Sequence, residues 1–482
     1  MDLTIALDNN SDIPLYHQLY TELRQAILTG RLQPHQKLPS TRWLAKSLGI
    51  SRSTVTQSYE QLFSEGYLQT KIGAGTFVSE ELPDELLTTQ PVKSKYGSAS
   101  PKIELSIYGK NVESAYISVA DSDLPISFNY GRPALDRFPL KLWRKLLSRH
   151  CESNLDLLDY SLEPRGHQPL KEAIASYLSC SRAVQCSPEQ VIITNGSQQA
   201  IDLITRLFIN PGDKICLEEP CYQGARNIFQ AQGAKLIPVE VDESGLIVRQ
   251  LVNFTPVKLI YVTPSHQFPT GAVLSLPRRL ELLRWAKETG AIIIEDDYDS
   301  EYRYSSRPIP ALQGLDCDRA VIYIGTFSKV LFPSLRIGYL VVPKNLQSLF
   351  GRAKWLCDRQ SPLIEQQVLT DFINEGYLER HIRKMRNLYD LRRQALVAAL
   401  QQYFGQKVTI LGENAGIHLM IKIKTNLSDR ELIDRARQVG VGLTSLQKYY
   451  LQAKNQGEFL LGYSELDEWQ IKEGIRRLAS IF

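Results

Sequence analysis

Five short apolar runs, separated by stretches with helical periodicity, constrain the fold of this chain more than any other feature. They read Val191-Ile-Ile-Thr194, Lys214-Ile-Cys-Leu217, Leu259-Ile-Tyr-Val262, Ala291-Ile-Ile-Ile294 and Val321-Ile-Tyr-Ile324. Continuous apolar strands are typical of sheets covered on both faces, which are mostly parallel. We therefore expect an α/β fold over residues 126–482, with ligands bound at the carboxyl ends of the strands. A smaller C-terminal α+β subdomain is expected from about residue 363.

Length and composition narrow the class of protein. With 482 residues and 43% apolar content, the chain has room for two or three domains. No apolar run approaches the ~18 residues of a membrane span, and the N-terminus lacks the basic flank and apolar core of a signal peptide. We expect a cytoplasmic protein with no membrane partner. The seven cysteines contain no Cys-x-x-Cys pair, which favours reduced thiols over disulfides or structural zinc.

Residues 12–80 form the first predicted unit, three helices followed by two short strands. The second helix is expected from Ser40 to Gly49 and the third from Ser51 to Gly66, because serine is a preferred N-cap and glycine ends helices. We expect the third helix to carry its apolar side chains inward; they are Val55, Tyr59, Leu62 and Phe63. The strands meet at a turn that contains Gly73 and Gly75, which predicts a β-wing.

This unit carries concentrated positive charge. Between Leu23 and Tyr59 the chain has six basic residues and no acidic one. For any one of them a solvated surface is the simpler interpretation, but charge, helix spacing and wing together favour double-stranded DNA as the partner. Candidate base contacts lie in the first half of the third helix, and candidate phosphate contacts lie beside it. The candidates are Ser51, Arg52, Thr54, Thr56, Arg42 and Lys71, with the wing glycines Gly73 and Gly75. From Leu38 to Tyr67 the pattern resembles the winged helix-turn-helix of the GntR regulators.

Residues 81–125 differ in composition from both flanks. The segment contains prolines, glycines and several serines and threonines but little aromatic content, which predicts a linker with a short docked segment near Leu105 to Tyr108.

The stretch Gly325 to Tyr339, GTFSKVLFPSLRIGY, places Ser328 and Lys329 in a polar break between two apolar runs. A lysine at such a place is usually a solvated surface residue. Here a hydroxyl precedes the amine and Arg336 follows seven residues later. An aldehyde cofactor that carries a phosphate requires this set of groups, an amine for a Schiff base and polar donors for the phosphate.

The lysine segment resembles that of fold-type I aminotransferases, which bind pyridoxal 5'-phosphate (PLP). The resemblance implies that Lys329 is the catalytic lysine, holding PLP as an internal aldimine. It assigns Gly196, Ser197 and Gln198 to the phosphate and Tyr222 to stacking on the pyridine ring. Ser328 and Arg336 are the polar donors already identified for the same phosphate. From the residues alone, Asn195 to Gln199 opens a helix and is either an anion cradle or an ordinary N-cap.

Three acids close the Ala291 run, where Glu295-Asp-Asp-Tyr298 follows. A carboxylate beside the pyridine nitrogen keeps that nitrogen protonated. The resemblance assigns Asp296 to this task and Tyr298 to the ring oxygen, and the choice between Asp296 and Asp297 rests on motif alignment. Metal binding is the alternative for this acid cluster, and the nearby sequence offers no His or Cys in its support.

The segment from Thr263 to Gly271, TPSHQFPTG, has Phe268 where aminotransferases usually have asparagine. His266 is the candidate to replace that amide, with a structural role as the alternative. This variant is typical of the MocR/GabR branch of the GntR family, in which a winged helix is fused to a fold-type I PLP-dependent transferase domain. The branch implies a head-to-tail, domain-swapped homodimer. Tyr160 matches a loop that reaches the neighbour's cofactor phosphate.

These resemblances imply a PLP-dependent transcriptional regulator that responds to PLP or to an amino compound, with vitamin B6 or amino acid and amine metabolism as the regulated process. The alternative is an active aminotransferase with an accessory DNA-binding domain. Against it, the segment Ser445 to Lys448 lacks the arginine that binds a substrate carboxylate, and Gly224 stands where the GABA-responsive regulator has a second arginine. A regulator that has lost PLP is a third possibility, disfavoured because Lys329, Asp296 and Arg336 are all present.

Overall fold

The computed structural model describes residues 5, 7–8, 11, 13–71, 74–80, 82, 103–115, 124–151, 159–160, 163–304, 309–316, 320–452 and 456–482. The chain divides between Glu104 and Leu105 into two compact units. Most of the predicted linker, and Gly73 of the predicted wing, lie outside the described residues. No helix in the described ranges is both long and apolar enough to cross a membrane.

The small unit contains three helices and a two-stranded antiparallel sheet. These are α1 (Leu15–Leu28), α2 (Thr41–Leu48), α3 (Arg52–Ser64), β1 (Leu68–Lys71) and β2 (Gly75–Val78). The Ser40 hydroxyl accepts the Trp43 N–H at 3.3 Å, and Gly49 ends α2 in the left-handed conformation at φ 67°. The predicted winged helix-turn-helix is therefore confirmed.

The core of the small unit lies between α1 and α3. Leu19 and Leu23 on α1 are fully buried with Val55 and Leu62 on α3. The prediction that Phe63 faces inward is wrong, since 51% of it is exposed. One residue advances the helix by about 100°, so Phe63 turns away from the face that Leu62 buries.

The large unit alternates strands and helices. Its helices are α4 (Ile107–Glu113), α5 (Leu140–Cys151), α6 (Gln168–Arg182), α7 (Gly196–Phe208), α8 (Gln223–Ala231), α9 (Leu276–Thr289), α10 (Leu312–Leu315), α11 (Gln347–Asp358), α12 (Leu363–Asn374), α13 (Tyr377–Phe404), α14 (Asp429–Gln438) and α15 (Glu468–Ala479). Its strands are β3 (Ile126–Ser127), β4 (Val191–Thr194), β5 (Lys214–Glu219), β6 (Lys235–Asp242), β7 (Gly245–Leu246), β8 (Leu259–Val262), β9 (Ile292–Asp297), β10 (Val321–Thr326), β11 (Gly338–Val341), β12 (Val408–Leu411), β13 (His418–Ile423), β14 (Val441–Gly442), β15 (Thr444–Ser445) and β16 (Glu458–Gly462).

The main sheet has eight strands in the order β4-β11-β10-β9-β8-β5-β6-β7. Strands β10, β9, β8, β5 and β6 pair in parallel, while β11 and β7 run antiparallel to their neighbours. The predicted mostly parallel sheet is confirmed. The apolar run that follows Lys329, from Leu335 to Val342, becomes a strand only at Gly338, because Arg336 adopts a left-handed conformation at φ 53°.

A second, antiparallel sheet of four strands, β12-β13-β16-β15, forms its own core with α13 and α15. The long helix α13 serves both cores: Ile382 packs with the main sheet, and Met385 packs with the second sheet. Helix α4, near the predicted docked segment, contacts α8, where the Asn111 amide donates to the Ala231 carbonyl at 3.2 Å.

Candidate functional site

One cavity lies at the carboxyl ends of the parallel strands. It encloses about 690 Å³, a figure that includes its solvent-filled mouth. Strands β4, β5, β8, β9 and β10 all end at this edge of the sheet, so residues distant in sequence converge there. The lining residues are Tyr130, Ser197, Gln198, Tyr222, Tyr261, Thr263, Phe268, Asp296, Tyr298, Thr326, Ser328, Lys329, Pro333 and Arg336.

One end of the cavity is arranged for an anion. Helix α7 begins there at Gly196, whose φ of 77° directs the chain from β4 into the helix. The Arg336 Nη2 donates to the Asn195 carbonyl at 2.7 Å, and a Cβ built on Gly196 would come within 2.9 Å of this nitrogen. No ion pair or hydrogen bond joins Arg336 to a carboxylate of the described residues. Its guanidinium, the Ser197 hydroxyl and the N–H groups that open α7 thus offer donors to one anion.

Lys329 stands beside this end of the cavity. Its Nζ donates to the Gly131 carbonyl at 2.8 Å and lies 4.7 Å from the centre of the Tyr130 ring. Burial lowers the pKa of Lys329 to about 8, against the opposing influence of the Asp299 and Asp296 carboxylates. A larger fraction of this amine is therefore uncharged near neutral pH than for an ordinary lysine.

The two aspartates of the acidic triplet Glu295 to Asp297 have different surroundings. Asp296 lines the cavity; its Oδ2 accepts the Tyr261 hydroxyl at 2.6 Å, while its buried Oδ1 has no hydrogen-bond partner in the described part of the chain. Burial raises the pKa of Asp296 to about 7. Asp297 instead forms a buried ion pair with Arg182 at 2.7 Å and accepts the Tyr323 hydroxyl at 2.6 Å. The structure thus places Asp296, and not Asp297, in the cavity.

Tyr298 connects the cavity to a buried histidine. Its hydroxyl donates to the His266 carbonyl at 2.9 Å and lies 3.1 Å from the His266 Nδ1, which is 3.0 Å from Asp299 Oδ1. His266 is behind Tyr298 and is not part of the cavity lining. The fold also brings His418 close, so that one ligand atom each of His266, Asp299 and His418 lies within 4.8 Å of the others. Asp299 contacts the Nδ1 of His266 and leaves the Nε2 of that ring without a partner among the described residues. We interpret this contact as one that orients the imidazole ring, and not as part of a metal site.

Tyr222 lies on another wall of the cavity. Its ring packs edge-on against Phe268, with 6.0 Å between ring centres. A Cβ built on Gly224 would come within 2.5 Å of the Tyr222 ring. A side chain at position 224 would therefore displace the Tyr222 ring. The sequence did not indicate this requirement for glycine.

In the small unit, the predicted DNA contacts are at the start of α3 and in the wing. Arg42, Arg52 and Lys71 are exposed, whereas Thr54 and Thr56 are half-buried. The Ser51 hydroxyl caps α3 by accepting the Thr54 N–H at 3.1 Å. Gly75 has a φ of 115°, a conformation that favours glycine.

A second basic side chain stands beside the wing. The Lys37 and Lys71 amines lie 5.9 and 5.6 Å from the centre of the Phe77 ring. Lys37 reaches this position because its backbone forms an isolated antiparallel bridge with Phe77, outside the regular strands. In the sequence, Lys37 is recognised only as one of the six basic residues between Leu23 and Tyr59. Its place on the wing depends on this pairing, which no local pattern indicates.

Comparisons with known proteins agree with both units. The family model for bacterial regulatory proteins of the gntR family matches residues 15–78, and that for aminotransferase class I and II matches residues 126–478. The probable rhizopine catabolism regulatory protein MocR of Rhizobium meliloti is 40% identical over 99% of this chain and 96% of its own length. The chain belongs to the MocR branch of the GntR family.

Two further comparisons concern relatives of known role or structure. The HTH-type pyridoxine biosynthesis transcriptional regulator PdxR of Corynebacterium glutamicum is 30% identical over 97% of this chain and 96% of its own length. The crystal structure of LysN, the α-aminoadipate aminotransferase of Thermus thermophilus in complex with N-(5'-phosphopyridoxyl)-L-leucine, matches with a TM-score of 0.71. It is 29% identical and covers 77% of this chain and 96% of its own. Aminotransferases of this fold bind PLP-derived groups.

Tyr160 of this MocR-type chain lies outside the cavity lining. It is 67% exposed, and the Arg359 guanidinium lies 4.3 Å from the centre of its ring. Its assignment to a neighbouring subunit's site stays a prediction.

Arg226 of α8 contacts the end of the segment Ser445 to Lys448, in which the sequence lacks the arginine that binds a substrate carboxylate. The two terminal nitrogens of Arg226 donate to the backbone carbonyls of Tyr450 and Lys448, both at 2.9 Å. This guanidinium therefore holds the segment in place and is engaged with the backbone.

Several cavity residues were not predicted from sequence. Tyr130 and Gly131 lie close to Lys329 although about 200 positions separate them in the chain, and Tyr261 was noted only as part of an apolar strand. A tyrosine inside a buried strand is the one signal that was available, since its hydroxyl requires a partner.

Proposed function

We propose that this protein is a DNA-binding transcriptional regulator that holds PLP at Lys329 and responds to PLP or to an amino compound. One observation carries the proposal. A single cavity presents the Lys329 amine, an unpartnered Asp296 oxygen and the Arg336 guanidinium, in a chain that also carries a winged helix.

The residues present fit PLP. Arg336, Ser197, Gln198 and the start of α7 at Gly196 would hold the phosphate, and Ser328 lines the same cavity. The free Asp296 oxygen would hold the ring nitrogen.

The ring and its oxygen also have candidate partners. Tyr222 would stack on the ring, and Tyr298 would hold the ring oxygen by turning its single O–H from the His266 carbonyl to that oxygen. Asp299 orients the His266 ring behind it. When PLP is bound, its aldehyde reacts reversibly with a primary amine, either that of Lys329 or that of a free amino compound.

The surroundings of Lys329 suit this exchange. The lowered pKa increases the fraction of the amine that is uncharged, and the Gly131 carbonyl accepts one of its hydrogens. When it is not bonded to a ligand, the Lys329 amine faces the Gly131 carbonyl and the Tyr130 ring, which give the free side chain a defined position.

Regulation requires that the ligand bind two arrangements of the protein with different free energy. We propose that occupancy of the cavity changes how two winged helices of a domain-swapped homodimer meet their half-sites, in the cytoplasm where the DNA is. The similarity to PdxR, a regulator of pyridoxine biosynthesis, supports vitamin B6 metabolism as the regulated process.

The test is a titration of the purified protein with PLP, followed by a panel of primary amines. Visible absorbance reports the Lys329 adduct, and the mobility of DNA from its own upstream region reports duplex binding. Borohydride reduction and peptide mapping should locate a pyridoxyl group on residue 329. A label at another lysine, or none, contradicts the cofactor assignment, and amines that change absorbance without changing DNA binding contradict the regulatory role.

An active aminotransferase is the second candidate, favoured by the similarity to LysN over most of the large unit. Its test is sustained production of an amino acid from a keto acid in the presence of an amino donor. We expect single-turnover chemistry without sustained turnover, because Arg226 is engaged with backbone carbonyls and leaves the Ser445 to Lys448 segment without a free guanidinium.

A further inference from the structure

A carboxylate outside the cavity holds the anion end of the site from behind. Asp358, the last residue of α11, accepts three hydrogen bonds. Its Oδ1 accepts from the Lys354 amine at 2.5 Å, and its Oδ2 accepts from the side-chain amides of Asn195 at 2.9 Å and Gln199 at 2.7 Å. Asp358 does not line the cavity.

The two amides belong to the turn that begins α7. Asn195 precedes Gly196, and its N–H donates to the Gln199 Oε1 at 2.8 Å, which closes a loop of hydrogen bonds across the first helical turn. The Asn195 carbonyl is the acceptor for Arg336 Nη2 at 2.7 Å. One carboxylate therefore fixes the residue that orients the cavity guanidinium and the turn that presents the N–H groups.

The charge of Asp358 is itself anchored. Lys354 is fully buried and also donates to the Ser361 hydroxyl at 3.1 Å, and that hydroxyl lies 3.4 Å from the Asn195 Oδ1. A buried ammonium requires a paired carboxylate, and Asp358 supplies it while also accepting from both amides. The contact with Lys354 therefore fixes the position of the carboxylate.

We propose that Asp358 is a positioning residue that sets the affinity of the cavity for the phosphate end of its ligand, acting through Asn195 on Arg336 and the start of α7. The inference rests on the proposed binding of PLP in this cavity. It predicts a selective effect of substituting Asp358. The groups that hold the ring and the aldehyde lie elsewhere on the cavity wall, so the affinity for a ligand without phosphate should stay unchanged.

The experiment compares PLP with pyridoxal, which lacks the phosphate, on the full-length protein. Dissociation constants are measured from the absorbance of the Lys329 adduct. For Asp358→Asn we expect binding of PLP to weaken about tenfold, the effect of losing one charge-assisted hydrogen bond, and binding of pyridoxal to stay within about twofold. The matched control is Glu379→Gln, which removes an i,i+4 ion pair with Arg383 on the exposed surface of α13 and should change neither constant.

Because Asp358→Asn leaves the buried Lys354 unpaired, thermal unfolding is followed for each variant. Gln199→Met keeps the ion pair and removes one amide, and it should show the same selectivity with a smaller loss of PLP affinity, about threefold.

Equal weakening of PLP and pyridoxal in both variants, or no weakening in either, overturns the positioning role. Those results leave the proposed function standing, provided that borohydride labels Lys329 in the wild type. Failure of the wild type to bind PLP overturns both proposals.

Discussion

The cavity of the large unit and the DNA surface of the small unit use charge in opposite ways. The predicted DNA contacts lie within about 34 consecutive residues, and Arg42, Arg52 and Lys71 are solvent-exposed. The cavity, in contrast, is lined by residues that follow the ends of five strands, and burial raises the pKa of Asp296 there to about 7. Exposed charges act almost independently and are screened by salt, whereas buried groups depend on their partners. Substitutions in the two regions should therefore differ in size and in salt dependence.

The largest effect is expected for Lys329→Ala. The variant lacks the amine that reacts with the aldehyde, so PLP should produce no visible adduct and borohydride should leave residue 329 unlabelled. Absorbance and peptide mapping measure both. Lys329→Arg is the control, because it keeps a cation in the cavity and should equally fail to form the adduct. Retention of the adduct in either variant would place the reactive amine elsewhere.

The next largest effect separates the two neighbouring acids. Asp297→Asn leaves the Arg182 guanidinium without its buried partner and should lower the free energy of unfolding by about 3 kcal/mol. Asp296 forms no ion pair with any described residue and burial already raises its pKa to about 7, so Asp296→Asn should leave stability nearly unchanged while weakening PLP binding about tenfold or more. Denaturant unfolding and PLP titration of both variants give the comparison. The reverse pattern would assign the ring nitrogen to Asp297.

A third prediction concerns pH. The lowered pKa of Lys329 means that its amine is mostly protonated, and unreactive, below pH 8 and mostly uncharged above it. The initial rate of PLP capture should therefore rise about tenfold between pH 7 and pH 9 and then level off. Stopped-flow absorbance measures this rate, with N-α-acetyl-lysine as the control amine. A midpoint near that of the free amine would mean that burial does not tune Lys329.

The smallest effect is expected in the DNA surface. Lys71→Ala should weaken binding of a mixed-sequence duplex several-fold and reduce the slope of log affinity against log salt by about 0.9, the value for one phosphate contact. Fluorescence anisotropy at several salt concentrations measures both. Arg430→Ala, an exposed change on α14 of the large unit, is the control. An unchanged slope in Lys71→Ala would remove the wing lysine from the interface.

Much of this architecture could be predicted from local patterns. Serine caps and glycine stops located α2 and α3, and apolar runs located the strands of the main sheet. Strand direction then implied that Lys329, Asp296 and Ser197 converge, which they do in the cavity lining. Phe63 shows the limit of this reasoning. A helical pattern gives the period of a face, but where that face ends depends on what packs against it.

The sequence by itself determined which segments become helices and strands, and which residue types stand at the strand ends, because each of these depends on neighbours a few positions away. Only the tertiary structure decided that Asp296 faces the cavity while Asp297 pairs with Arg182, and that Asp358 holds Asn195 across 163 positions of chain. Both are contacts between segments that are distant in the chain. Their geometry depends on how the helices pack on the sheet, and the local periodicity of the sequence does not predict that packing.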